Sequence, residues 1–262
     1  MSATDSELIL RRSAEGQIDN IVLNRGNKRN ALSPPLLDAM RGHLETARHD
    51  ASRIVVIRSD VENVFCAGFD IAYLGTGEEA RGQAALYGCL RDIEQAPKIT
   101  VAIADGIVVG GGNELFLCCD LRLATPRTSF RLTPARLGLV YSLEGMARFV
   151  RALGPTAAME MFVAARQVSA EEALRIGLVT RIVADTASAD AYCQELLANG
   201  PLAQTAMKRM IRVLADPQRG VPSDPAVLQE IEQLRHEAAV SDDRKEALRA
   251  FSEKRPPVFR GR

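Results

Sequence analysis

Two glycine-bearing segments carry the chemistry that this chain's residue types and spacing allow. The first segment is Phe65-Cys66-Ala67-Gly68-Phe69-Asp70, and the second is Gly110-Gly111-Gly112-Asn113-Glu114. Neither fits G-x-G-x-x-G or the P-loop, so a nucleotide-phosphate reading fails on spacing. Glycine lets backbone amides approach a ligand closely. The free amides and positive dipole of a helix start favour an anionic oxygen. Two such amides converging on one oxygen would make an oxyanion hole. Taken singly, each segment also fits a tight turn in a crowded core. Glu114 would lie in the first turn of a helix, where a glutamate complements the dipole.

Other candidates are few. The cysteines at 66, 89, 118, 119 and 193 are odd in number, contain no C-x-x-C and match no zinc spacing. They read as buried small apolar side chains in a reducing compartment, with no metal implied. His43, His49 and His236 fit no catalytic or metal pattern.

The elements that must position these residues follow from patterning. Residues 7–24 read as a hairpin turning at Glu15-Gly16. Ser33 reads as an N-cap with Pro34 at the first helical position, and Leu36, Leu37, Met40, Leu44 and Ala47 share one face of the helix after it. Ile54-Val55-Val56-Ile57 is apolar throughout, as in a strand buried on both faces. A helix is expected from Glu79 to about Glu94, ended by Pro97, and a strand through Ile99, Val101 and Ile103, closed by Gly106. The second glycine block then opens an apolar helix, and Leu121-Arg122-Leu123 is strand-like. This alternation argues for an α/β core. From Ala203 the pattern is helical, with apolar stripes at Met207, Met210, Ile211 and Leu214, at Leu228, Ile231, Leu234 and Ala238, and at Ala247, Leu248 and Phe251. Asp216–Asp224 reads as a loop. Such stripes pack on their own core or on a neighbouring subunit.

The chain has 262 residues, enough for one large domain or a core with an appendage. Its 33 basic residues balance 33 acidic ones, which gives no support for nucleic-acid binding as the main task. MSATDSELIL lacks a basic stretch followed by an apolar one, and no apolar run approaches a membrane span, so a cytoplasmic protein without membrane association is expected, with an organelle matrix as the alternative.

The two glycine blocks together, with Leu23-Asn24-Arg25, Lys28-Arg29-Asn30-Ala31-Leu32 and the tail Phe251-Ser252-Glu253-Lys254-Arg255-Pro256, resemble the crotonase (enoyl-CoA hydratase/isomerase) superfamily in motif and order over nearly the whole chain. The resemblance implies an α/β spiral of ββα units with a C-terminal helical trimerisation region, divided as a core over 1–200 carrying the acyl-CoA site and an oligomerisation region over 201–262. It implies homotrimers or homohexamers. It also implies an acyl-CoA substrate, with coenzyme A entering as part of the substrate and no separate cofactor. The oxyanion-hole amides would belong to Phe69 and Gly111, flanked by Ala67, Gly68 and Gly110. Lys28, Arg29 and Lys254 would be the candidates for contacts with the CoA phosphates.

Within the family, Glu114 corresponds to one of two hydratase carboxylates. The second should follow Pro134, where this chain has Ala135. A third position, aspartate in relatives with other chemistries, is Ser142 here, and Glu144 lies two residues further on. The stretch Leu132–Gly145 resembles the methylmalonyl-CoA decarboxylase branch, with Tyr141 where that branch has a tyrosine near the substrate carboxylate, but with Phe69 where it has histidine. The expected reaction is therefore decarboxylation of a malonyl- or methylmalonyl-type CoA thioester through an enolate. An enoyl-CoA hydratase or isomerase with a single carboxylate is the first alternative, and a non-catalytic acyl-CoA-binding homologue the second.

Overall fold

The structure is a computed structural model that describes residues 8–215 and 224–262. Strands β1 (Leu8–Ser13) and β2 (Ile18–Leu23) form the expected antiparallel hairpin, with Leu8 opposite Leu23 and Ser13 opposite Ile18. Helix α1 (Pro34–His49) starts as its sequence dictates. The Ser33 side chain accepts from the Leu36 amide, Pro34 opens the first turn, and Leu36, Leu37, Met40, Leu44 and Ala47 are buried.

The chain then repeats one motif. Strand β3 (Ile54–Ser59) is followed by β4 (Val64–Cys66) and α2 (Glu79–Glu94). Next come β5 (Ile99–Ala104), β6 (Ile107–Val109) and α3 (Gly111–Cys118), and after them β7 (Leu121–Ala124), β8 (Ser129–Arg131) and α4 (Leu143–Phe162). In each repeat the first strand joins a six-stranded sheet and the second a four-stranded one. Strand β9 (Gln167–Ser169) closes the smaller sheet and, after α5 (Ala170–Arg175), β10 (Arg181–Ile182) closes the larger. The orders are β1-β2-β3-β5-β7-β10 and β4-β6-β8-β9. This is the expected ββα succession. In β3, Ile54 to Ile57 are buried, as the unbroken apolar run required of a strand flanked on both sides. Helix α2 stops at Glu94, before Pro97.

The chain divides into two compact units. One runs to Ala96 and resumes from Thr100 to Asp190; the other comprises Pro97–Ile99 and Ala191–Arg262. The second unit contains α7 (Pro201–Leu214), α8 (Pro225–Val240) and α9 (Asp242–Glu253), after α6 (Thr186–Leu196) has crossed the boundary. Helix α7 buries Ala206, Lys208 and Val213, while Met207, Ile211 and Leu214 of the expected stripe are exposed, as are Leu228, Leu248 and Phe251. The expected loop over Asp216–Asp224 lies outside the described residues except for Asp224, whose carboxylate caps α8 by accepting from the Ala226 amide. Among the described residues no helix is long and apolar enough to cross a membrane, and no group of side chains could hold a metal ion. All five cysteines are buried free thiols, as expected.

Candidate active site

One wall of the site is the turn after β4, and the residues before α1 hold it in place. The Arg25 guanidinium donates to Asp70 at 2.6 Å and to the Ala31 carbonyl at 3.0 Å. Asn30, fully buried, donates to the Phe65 carbonyl at 2.9 Å. The Leu32 amide donates to the Gly68 carbonyl, the Asp70 amide to the Leu32 carbonyl, and the Ala67 amide to the Arg29 carbonyl. The blocks around Arg25–Leu32 and Phe65–Asp70 are therefore two strips of one loop pair. Burial works against the Asp70 carboxylate, yet hydrogen bonds from Arg25 and the Ala72 amide, with the Arg25 charge, hold its pKa below the usual value.

Gly68 is the contact point between the two glycine blocks. Its φ is +94°, and a Cβ there would stand 2.8 Å from the Val109 carbonyl oxygen and 3.1 Å from the Gly111 nitrogen. Gly110 also has positive φ, at +53°. A Cβ built on Gly111 would lie 3.4 Å from the Phe69 nitrogen. Neither the Phe69 nor the Gly111 amide has a hydrogen-bond partner among the described residues. Two open amides thus sit side by side, the second at the first position of α3 where no intrahelical acceptor exists. The Phe69 ring turns away from them onto α2, where a Cβ on Gly82 would meet it at 2.6 Å.

Glu114, in the first turn of α3, is 2% exposed. Burial pushes its pKa up to about 7, against the pull of the Arg148 charge and with help from Glu144 and Glu94. Its Oε1 has no hydrogen-bond partner among the described residues and lies 3.8 Å from Arg148 Nη1. Tyr141 packs edge-on against Phe162, with ring centroids 5.1 Å apart. Its hydroxyl lies against Gly110, 3.7 Å from where a Cβ there would stand, and bonds to no described residue. Burial and the nearby Glu114 raise the pKa of this phenol, so it stays a neutral donor.

The remaining expected residues fall into different places. Ser142 is the N-cap of α4; its hydroxyl accepts from the Gly145 amide at 3.0 Å. Ala135 is exposed on a short 3-10 turn, Pro134–Leu137. Glu144 is half-exposed and paired with Arg148 at 2.6 Å and Arg91 at 3.7 Å, so it supplies no second carboxylate beside Glu114. Lys28 and Arg29 are exposed, and Arg29 connects to the site wall through its carbonyl. Lys254, in the second unit, is the exposed left-handed cap of α9. Sequence reasoning brought out Phe69, Gly111, Glu114 and Tyr141, and these gather in one place. It missed Arg148 and Glu94. Arg148 follows Glu144 by one helical turn, and that spacing alone suggests an ordinary surface pair.

The family model for enoyl-CoA hydratase/isomerase matches residues 13–262. Mitochondrial methylglutaconyl-CoA hydratase of Mus musculus is 32% identical across 98% of this chain and 85% of its own length. Carnitinyl-CoA dehydratase of Salmonella enteritidis is 33% identical across 97% of this chain and 98% of its own. The crystal structure of enoyl-CoA hydratase from Bacillus anthracis superposes with a TM-score of 0.88 at 29% identity, covering 98% of this chain and 100% of that one.

Proposed function

The chain belongs to the enoyl-CoA hydratase/isomerase family, and from that premise we propose that it adds water across the double bond of a 2-enoyl-CoA thioester, or removes it in reverse, with Glu114 as its single acid–base group. The amides of Phe69 and Gly111 receive the thioester oxygen. Ionised Glu114 takes a proton from water as the water oxygen bonds to C3, and the double-bond electrons move onto the thioester oxygen as an enolate. Glu114 then returns that proton to C2 as the electrons come back, so one water is added in total. The observation that carries this reading is the buried Glu114 carboxyl in the first turn of α3, the helix that the open Gly111 amide begins; burial raises its pKa to about 7. Hydration therefore rises as pH climbs through that value, because only the ionised form accepts the proton. The relatives named as a hydratase and a dehydratase support the same chemistry.

Decarboxylation of a malonyl- or methylmalonyl-CoA is the second reading. The free Tyr141 hydroxyl beside Gly110 favours it, as does Ala135 in place of a carboxylate. There the bond to the carboxylate breaks, carbon dioxide leaves, and the electron pair enters the same enolate before a proton reaches C2. None of the relatives reported above is named for that reaction, so hydration ranks first. A binder without turnover fits least, because it leaves the buried Glu114 carboxyl without a task.

Binding of CoA, crotonyl-CoA, malonyl-CoA and methylmalonyl-CoA by thermal shift, followed by product analysis, separates these readings. A 3-hydroxyacyl product is expected. Release of carbon dioxide without hydration selects the second reading, and binding without any product selects the third. In the same reading Lys28 and Arg29 contact the CoA phosphates. The exposed stripe of Met207, Ile211 and Leu214 packs between subunits of a trimer or hexamer. A solution mass of a monomer at micromolar concentration would remove that assembly.

A further inference from the structure

Arg148 is 3% exposed although its helix neighbour Glu144 is 47% exposed. Its Nε and Nη2 hold the Glu94 carboxylate at 2.9 and 3.2 Å, and Nη2 also reaches Glu144 at 2.6 Å. That consumes one face of the guanidinium. The remaining nitrogen, Nη1, is buried without a hydrogen bond among the described residues, and so is Glu114 Oε1, 3.8 Å away. The same oxygen is hemmed by the α4 backbone, since a Cβ on Gly145 would stand 2.7 Å from it. A buried guanidinium nitrogen and a buried carboxyl oxygen that face each other unbonded are both costly. A closure of about 1 Å would bring the pair to the 2.7–2.9 Å of a charge-assisted hydrogen bond.

We propose that Arg148 is the positioning residue of this site: held by Glu94 and Glu144, it closes on Glu114 Oε1 when that carboxyl is ionised and withdraws when it is protonated. The inference rests on the reading of Glu114 as the acid–base group and deepens it. Few charged groups act on Glu114. Helix α4 contributes Arg148 and Glu144, and α2 contributes Glu94, with Arg91 behind Glu144. Tyr141 before α4, Cys66 on β4 and Cys118 on Glu114's own helix are all held neutral by burial. Two carboxylates thus offset one guanidinium. The carboxyl keeps an accessible protonated form despite an arginine nearby, and the arginine is ready to orient it once the proton leaves.

The test follows the Glu114 carboxyl itself. Its protonated infrared band is titrated with pH in the full-length protein and assigned by its disappearance in Glu114→Gln. The wild-type midpoint is expected near 7. Arg148→Met should raise it by about one pH unit or more, because an opposite charge is lost. Glu144→Gln, at a half-exposed position that does not endanger folding, should lower it by about half a unit. The pH limb of kcat/KM should move with each midpoint while KM changes little. Midpoints that coincide with wild type in folded Arg148→Met and Glu144→Gln would reduce Arg148 to a brace between helices. If Arg148→Met does not fold, an unmoved midpoint in Glu144→Gln alone overturns the proposal. If no thioester is turned over, the hydratase reading fails while the titration still decides the role of Arg148.

Discussion

On one side of the site, the turn after β4 is bonded at nearly every residue: Ala67, Gly68 and Asp70 each pair with the segment before α1, and Arg25 clamps Asp70. On the other side, residues 135–140 are all exposed, and Leu137, Val140 and Leu143 present apolar side chains that are 59%, 89% and 86% exposed. In the proposed reading the first region offers backbone amides to the thioester oxygen, and their value there depends on fixed direction. The second presents side chains just before Tyr141. In the proposed hydration the contrast assigns enolate stabilisation to a tied-down backbone and acyl-group preference to a segment that few bonds constrain. Ala135, where the family resemblance implies a carboxylate, falls in that second region and not in the first.

Breaking the rigid side should have the largest effect. Gly68→Ala places a side chain at φ +94° with a Cβ 2.8 Å from the Val109 oxygen, so the two amides must separate. A loss on the order of 10²–10³-fold in kcat is expected, as for removal of an oxyanion donor, and steady-state kinetics check it. Arg25→Met should come next. It leaves Asp70, 6% exposed, without its ion-pair partner, at a cost of about 3–5 kcal/mol. Chemical denaturation measures that loss, and a variant as stable as wild type would show that the clamp is dispensable. The exposed side should be forgiving. Val140→Ser is expected to change stability by less than about 0.5 kcal/mol and to shift only the ratio of kcat/KM between short and long acyl chains. A severe loss of activity on all substrates would erase the distinction between the two walls.

The parts of this arrangement that can be read from sequence are those with a local signature. Helix α2 spans Glu79–Glu94 as its apolar spacing requires, and Ser33-Pro34 announces α1 because capping is a matter of adjacent residues. The glycine blocks stand out because positive φ and close approach demand glycine. Strands β4, β6 and β8 have three residues each, too few for a period of two to be recognised, and only family resemblance implied them. Arg148 and Glu94 are 54 residues apart, and nothing in their neighbourhoods signals that α4 turns the arginine inward onto α2. The reaction was hardest to read. Tyr141 and Ala135 pointed toward decarboxylation, whereas the relatives and the buried Glu114 favour hydration.

The central claim is that a single carboxyl, Glu114, moves the proton while backbone amides hold the enolate. Its most direct test is the turnover of Glu114→Gln against wild type on the thioester that the wild type converts fastest, with kcat and KM measured separately. The account predicts a fall in kcat on the order of 10²–10⁴-fold with KM nearly unchanged, since the amide side chain preserves shape but cannot carry the proton. A variant that retains wild-type kcat would contradict it and would assign the proton transfer to another group.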